Sequence, residues 1–217
     1  MSIPFYFAME ENEASPSAGG RCAQLGFGFQ EDGSLRLPRR LLSGAAAVVD
    51  DHLLPSTPPE PAVLDRLAET CGNGCFLDFE RPINEVGAAI AVGLHQRLNG
   101  NMTVPPALHG LCPDAAVQVQ GPFCNHWERF MQNVQAQYGY HWVLEVIPWD
   151  KSIQLTYMET QEGCLHAAVC HYRVKDSLVH FFDTEETITQ KLAVAEKYGC
   201  QAGIVLLREY TKNAQFV

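Results

Sequence analysis

Apolar residues in this chain gather in short runs separated by polar or Gly/Pro-containing stretches. Runs rich in apolar, β-branched and aromatic residues recur at Ile3 to Met9, Cys22 to Phe29, Gly44 to Asp50, Cys75 to Phe79, Met102 to Val104, Ala115 to Gln120, Trp142 to Ile147 and Ala202 to Leu207. Each has strand composition. Several are apolar almost throughout rather than alternating, which suits parallel strands covered on both faces. Between some of them, apolar positions recur at helical spacing. Ala62, Val63 and Leu67 form a stripe in Pro61 to Thr70, and Ile83 to Leu98 is a long amphipathic segment. Trp127, Phe130, Met131 and Val134 do the same in Asn125 to Tyr138, where they are expected to be core. Ile188, Leu192 and Ala195 do so in Thr187 to Tyr198, which Gly199 would cap. Strands alternating with helices predict right-handed βαβ units in an α/β fold.

The segment Ser152 to Phe182 breaks this rhythm. Ile153 to Tyr157, His166 to Val174 and Leu178 to Phe182 read as antiparallel strands, with Gly163 and Lys175-Asp176-Ser177 as turns. We read residues 152–182 as an antiparallel insertion near the seventh strand, within a single domain spanning 1–217. Pro-rich Leu54 to Pro61 is a stiff loop inside the βαβ rhythm, and Glu10 to Gly20 is a loop after the first strand.

Composition narrows the partners. The formal net charge of −10 disfavours nucleic acid and anionic lipid, both of which select basic patches. No stretch approaches the ~20 apolar residues of a membrane span. Met1 to Met9 reads as a strand rather than a signal peptide, so a cytoplasmic location is expected. The eight cysteines are scattered over a core-sized chain and several lie in apolar runs, so free, mostly buried thiols are expected rather than disulfides. Cys71-x3-Cys75 has no second ligand-spaced pair, and neither a metal nor another cofactor is implied.

The chemistry concentrates in Asn73-Gly74-Cys75-Phe76-Leu77-Asp78-Phe79-Glu80-Arg81-Pro82. Alternate strand residues share a face, so Phe76, Asp78 and Glu80 point one way and Leu77 and Phe79 the other. If Leu77 and Phe79 pack on helices, two carboxylates face the lumen at a strand's C-terminal end, the end that carries catalysis in barrel enzymes. Their backbones lie roughly 6–7 Å apart, from a rise of ~3.3 Å per residue. Such a pair can share a hydrogen bond, and one member can serve as a general acid. The alternative is a solvated strand end whose carboxylates pair with Arg81 or another cation. Asp50-Asp51-His52 ends the third strand and has the residue types for a metal or a substrate, against the plainer reading of a solvated loop.

The segment resembles the fourth-strand signature of glycoside hydrolase family 18, the chitinases and related enzymes, which reads D-G-x-D-x-D-x-E. Asn73 takes the first Asp position, Gly74 matches, Phe76 replaces the second Asp, and Asp78 and Glu80 match. Further pieces follow in family order. Leu25 to Leu35 resembles the second strand and its turn, and Val146-Ile147-Pro148-Trp149 resembles the G-I-P-F-Y run of the seventh strand. Phe182 to Lys191 resembles the D-D-x-x-S-x-x-x-K helix start, and Gly203 to Leu207 the last strand. The resemblance, which includes the spore-cortex-lytic members, spans nearly the whole chain. It implies a (β/α)8 TIM barrel, small or partly degenerate at this length.

It also implies a chemistry. The family's Glu donates a proton to the glycosidic oxygen, the substrate's own N-acetyl group attacks the sugar carbon, and the neighbouring Asp orients that group and stabilises the cation. This is an exception to the usual two-carboxylate scheme. Carried over, Glu80 is the acid and Asp78 the stabiliser. Gln120 falls where the family has a substrate-holding Tyr, and its amide can still donate a hydrogen bond. Gln118 on the same strand joins the substrate-binding set, and Trp149 and Asp150 at the end of the seventh are candidates to line the cleft, against core packing for Trp149. Phe76 leaves Asp78 without its inner Asp partner, Gly121 has no carboxylate, and Leu207 replaces the Trp floor under the sugar. Two functions are therefore expected from this barrel: hydrolysis of an N-acetylhexosamine-containing glycan, or binding of a glycan or protein without hydrolysis. A barrel enzyme of another chemistry that shares only the D-x-E strand end is a third reading.

Overall fold

The computed structural model describes residues 3–14, 20–121, 127–146, 149–154, 171–175 and 178–214. The strands are β1 Phe5–Met9, β2 Arg21–Phe29, β3 Leu35–Arg36, β4 Ala46–Asp50, β5 Cys75–Asp78, β6 Met102–Val104, β7 Ala116–Gln120, β8 Trp142–Val146, β9 Trp149–Gln154, β10 His171–Lys175, β11 Leu178–Phe182 and β12 Cys200–Leu206. The helices are α1 Pro61–Thr70, α2 Glu85–Leu98, α3 Trp127–Tyr138, α4 Glu185–Lys197 and α5 Leu207–Ala214.

The main sheet has the order β1-β12-β8-β7-β6-β5-β4-β2-β3, and β1 also pairs with β2. Setting aside β3, a short antiparallel flap on β2, this ladder closes on itself as an eight-strand parallel (β/α)8 barrel. Its helical layer is reduced. Among the described residues no helix follows β1 or β2, and β6 is followed by a single 3-10 turn at Pro106–Leu108. A separate antiparallel sheet of order β10-β11-β9 comes between β8 and α4 in the chain. It begins at Trp149, earlier than the expected Ser152, because β8 ends at Val146 and Trp149 already pairs with Phe182. Most of the strands expected at 153–157 and 166–174, and the Gly163 turn, fall outside the described residues. No described helix is long and apolar enough to cross a membrane.

The chain divides into two compact units, Tyr6–Gln118 and Met1–Phe5 with Val119–Val217. In the first, the apolar runs read as strands bury one face against α1 and α2. Ala47, Val49, Leu77 and Phe79 meet Leu64 and Leu67 of α1 and Ile90, Ala91 and Leu94 of α2 in one cluster. Each Val, Leu, Ile and Phe among them contributes roughly 1.5–3 kcal/mol on burial. The two helices approach closely at Gly93, where a Cβ would lie 2.6 Å from Leu64 Cδ1. Pro61 starts α1 and the Asn84 side chain caps α2 by accepting from Gly87 N at 2.8 Å, the termini these residues favour. Cys71 and Cys75 are buried in this cluster. A hydrogen bond with Cys71, together with burial, pushes the Cys75 thiol well above its ordinary range.

In the second unit Trp142, which opens β8 opposite Cys200 of β12, is buried and donates its indole N–H to Tyr198 O at 3.1 Å. Gly203 lets Leu192 and Phe5 close over the strand, since a Cβ there would lie 2.5 and 2.7 Å from their side chains. Thr184 and Thr187 form a reciprocal capping box at the start of α4. The five described cysteines are free thiols, all buried except half-exposed Cys22; Cys124, Cys164 and Cys170 lie outside the described residues.

Candidate active site at the fourth barrel strand

β5 is the fourth strand of the barrel, and its alternation is the one read from the sequence. Cys75, Leu77 and Phe79 enter the cluster with α1 and α2. Phe76 turns the other way, and its ring meets the Tyr6 ring of β1 edge-on, with centroids 5.1 Å apart. Asp78 shares the Phe76 face and is the last residue of the strand, half-buried. Glu80 lies two residues beyond the strand end and is exposed, which differs from the expectation of two carboxylates within one strand. Beyond the strand end, Arg81 N–H donates to Asp51 Oδ2 at 2.9 Å. Asp51 is only 5% exposed; it anchors the turn that carries Glu80.

The neighbouring strand end refines the reading of Asp50-Asp51-His52: Asp50 belongs to β4 and Asp51 is buried, while His52 is exposed beyond the strand. Ala47 and Val49 of β4 face the helices, so Val48 and Asp50 share the inner face with Phe76 and Asp78, and the register pairs Asp50 directly with Asp78. Asp50 Oδ1 accepts from Arg36 Nη2 at 2.6 Å and from His52 N at 3.0 Å. Arg36 arrives from β3, which the turn at Glu31 to Ser34 folds back on β2, with Gly28 opposite Arg36. A Cβ on Gly28 would lie 2.5 Å from Arg36 Nη2. The absent side chain is what lets the guanidinium cross β2 to reach Asp50. Sequence reasoning missed Arg36, Gly28 and the anchoring role of Asp51. The signal available was Gly inside an apolar strand, at Gly26 and Gly28, which often marks close approach by another group.

The remaining predicted residues distribute over both units. Gln118 ends the first, half-buried. Gln120 closes β7 in the second and is exposed. Gly121, where the family pattern has an Asp, is held bare: a Cβ would lie 2.7 Å from Trp127 Cη2 and 3.1 Å from Leu144 Cδ1. Trp127 is buried as expected, with Phe130 edge-on at 5.8 Å and Lys191 Nζ 4.9 Å from its ring centroid. Trp149 and Asp150 open β9 of the antiparallel sheet rather than ending a barrel strand. Leu207 does not belong to the last strand either; it starts α5 and is buried.

No known family model and no curated protein matches this sequence. Solved structures do match its fold. The class V chitinase from Nicotiana tobaccum superposes with a TM-score of 0.59 at 9% identity, covering 94% of this chain and 93% of that one; a mutant of that chitinase was solved in complex with NAG4. The spore cortex-lytic enzyme SleL of Bacillus megaterium QM B1551 gives 0.54 at 13% identity, covering 94% and 70%. The chitinase-like agglutinin RobpsCRA of Robinia pseudoacacia gives 0.55 at 11% identity, covering 92% and 93%. At these identities the likeness is one of fold: this chain has the barrel found in glycoside hydrolase family 18 chitinases and in proteins resembling them.

Proposed function

We propose that the protein is a glycoside hydrolase-like barrel acting on an N-acetylhexosamine-containing glycan. The observation that carries this reading is the presence of Asp78 and Glu80 at the C-terminal end of the fourth strand, in a fold otherwise matched by chitinases. Glu80 donates a proton to the glycosidic oxygen as the bond to the leaving sugar breaks. The substrate's N-acetyl oxygen attacks the anomeric carbon, and the Asp78 carboxylate orients that group and balances the positive charge formed. Exposure of Glu80 is compatible with this role in the free protein, because bound sugar would itself exclude water from the acid. Gln118, in the same unit as Asp78 and Glu80, would help hold the substrate.

A second reading is favoured by Phe76. Its ring is engaged with Tyr6, so the inner carboxylate position is apolar, and Leu207 offers no aromatic floor for a sugar. On that reading the barrel binds a glycan without cleaving it. A fluorogenic N-acetylglucosamine oligomer assay separates the two. Hydrolysis by the wild type that falls at least ~10²-fold in Glu80→Gln, within the range typical of general-acid catalysis, with binding and melting temperature kept, is the expected outcome. Equal turnover by Glu80→Gln eliminates the mechanism. Binding without any wild-type turnover supports the second reading.

A further inference from the structure

We propose that Arg36 and Asp50 form a positioning pair for Asp78, replacing from the adjacent strand the carboxylate partner that Phe76 does not supply. This deepens the assignment of Asp78 as stabiliser and rests on it.

The pair belongs to one row of the barrel. Phe27 pairs with Val49, so the next residues, Gly28 and Asp50, continue that row, and Asp50 pairs with Asp78. Adjacent strands lie roughly 4.8 Å apart, so two carboxylates on one face start from neighbouring Cα positions. Like charges directly opposite are destabilising, more so when half-buried. Arg36 removes that conflict. Its Nη2 holds Asp50 Oδ1 at 2.6 Å and reaches Phe27 O at 3.5 Å, while His52 N fixes the same carboxylate oxygen. Asp50 is thereby compensated and fixed in orientation. The pair therefore sets the field in which the Asp78 carboxyl, its register partner, must hold the charge that stabilising a cation requires.

Among the described residues, the elements next to Asp78 carry these charged and titratable groups. β3 and β4 bring Arg36 and Asp50. Asp78's own segment continues to Glu80 and to Arg81, whose N–H is held by Asp51. β6 brings only Met102, Thr103 and Val104. β1 brings Tyr6, on the Phe76 ring, and Arg21 of β2 donates to the Tyr6 hydroxyl at 3.3 Å. Helices α1 and α2 cover the opposite face of β5. Arg36 and Asp50 are a described ion pair beside Asp78, because Asp50 is its register partner on the adjacent strand.

The test reads Asp78 itself, so it does not depend on turnover. The side-chain carboxyl carbon of Asp78 is followed by NMR across a pH titration, its resonance assigned with Asp78→Asn. Arg36→Gln leaves two adjacent carboxylates and raises the Asp78 midpoint, by on the order of one pH unit. Asp50→Asn leaves the cation to Asp78 and lowers it. The double variant returns close to the wild type. Gly28→Ala pushes the flexible guanidinium off Asp50 while keeping every charge, and moves the midpoint in the Arg36→Gln direction by less. It also serves if Arg36→Gln fails to fold. Shifts of opposite sign that cancel show that the pair acts on Asp78 through its charges, whereas a pair that only holds the fold would leave the Asp78 midpoint in place. If the variants leave the midpoint unmoved, or if both single variants move it the same way, the proposal is overturned. Where the wild type hydrolyses a glycan, the acid limb of its pH–rate profile follows the same order. A wild type without turnover counts against the hydrolase reading alone, because the carboxyl titration still decides the pairing.

Discussion

Two ion pairs of equal length sit in very different surroundings. Lys191 Nζ to Asp183 Oδ2 is 2.6 Å, with side chains 3% and 1% exposed. Arg36 Nη2 to Asp50 Oδ1 is also 2.6 Å, with side chains 28% and 29% exposed. The first is embedded in one unit: Thr187 Oγ1 donates to the other Asp183 oxygen at 2.9 Å, and the Trp127 ring faces the ammonium. Desolvated charges persist only when so fully satisfied, and removing one partner leaves the other buried and uncompensated. The second lies at a strand end within reach of water, where an ion pair adds little stability. The contrast separates roles. The buried pair fixes how α4 begins, whereas the half-exposed pair is free to serve the charge state of its neighbour.

Three measurements can break or sharpen this contrast. Lys191→Met should cost the most, about 3–5 kcal/mol in denaturant unfolding. Asp183→Leu combined with Lys191→Met should recover much of that loss, because no buried charge then remains. A single variant within ~1 kcal/mol of the wild type would place the buried pair in the same class as the exposed one.

Next comes a pH effect in the same unit as the buried pair. Burial pushes the Cys200 thiol from 9.0 up to about 12. In the unfolded chain the thiol ionises from its ordinary value, while the folded chain keeps it neutral. The stability it contributes is therefore full below pH 9.0 and is lost as pH rises towards about 12, at roughly 1.4 kcal/mol per pH unit inside the window. Chemical unfolding of Cys200→Ala across this range should give a shallower alkaline decline than the wild type. Identical slopes would show that the thiol is not held neutral by the fold.

The smallest effect is expected at the strand end. Arg36→Gln and Asp50→Asn should each change unfolding stability by no more than about 1 kcal/mol. A loss as large as that from Lys191→Met would make Arg36–Asp50 a structural pair and remove the ground for separating the two.

Much of the barrel was legible because its strands are apolar throughout and its helices keep a 3.6-residue stripe. Leu77 and Phe79 against Phe76 and Asp78 is a pattern of local alternation, and local alternation survives folding. Strand ends were less legible. Glu80 lies beyond the ladder, beside Arg81, whose N–H is held by Asp51, 30 positions from Arg81 in sequence, and no local signal announces that bond. Trp149 opens an antiparallel strand and Leu207 opens α5 for a related reason: apolar residues at a junction suit the end of one element and the start of the next equally well. Arg36 was invisible for the opposite reason. Its importance comes from a neighbour without a side chain, Gly28, and from a strand register that only the folded ladder supplies. The Glu80, Asp78, Gln118 and Gln120 assignments rest on the family resemblance, which reads motif positions rather than distances.

The central claim is that the end of the fourth strand is a sugar site built around Asp78. A crystal of the Glu80→Gln variant soaked with an N-acetylglucosamine tetramer tests it most directly, since the variant should bind without consuming the ligand. The account predicts electron density for a sugar at the end of β5, with its N-acetyl group against Asp78 and Arg36 still on Asp50. Density for the oligomer elsewhere on the protein, or none in crystals soaked at millimolar ligand, would contradict it.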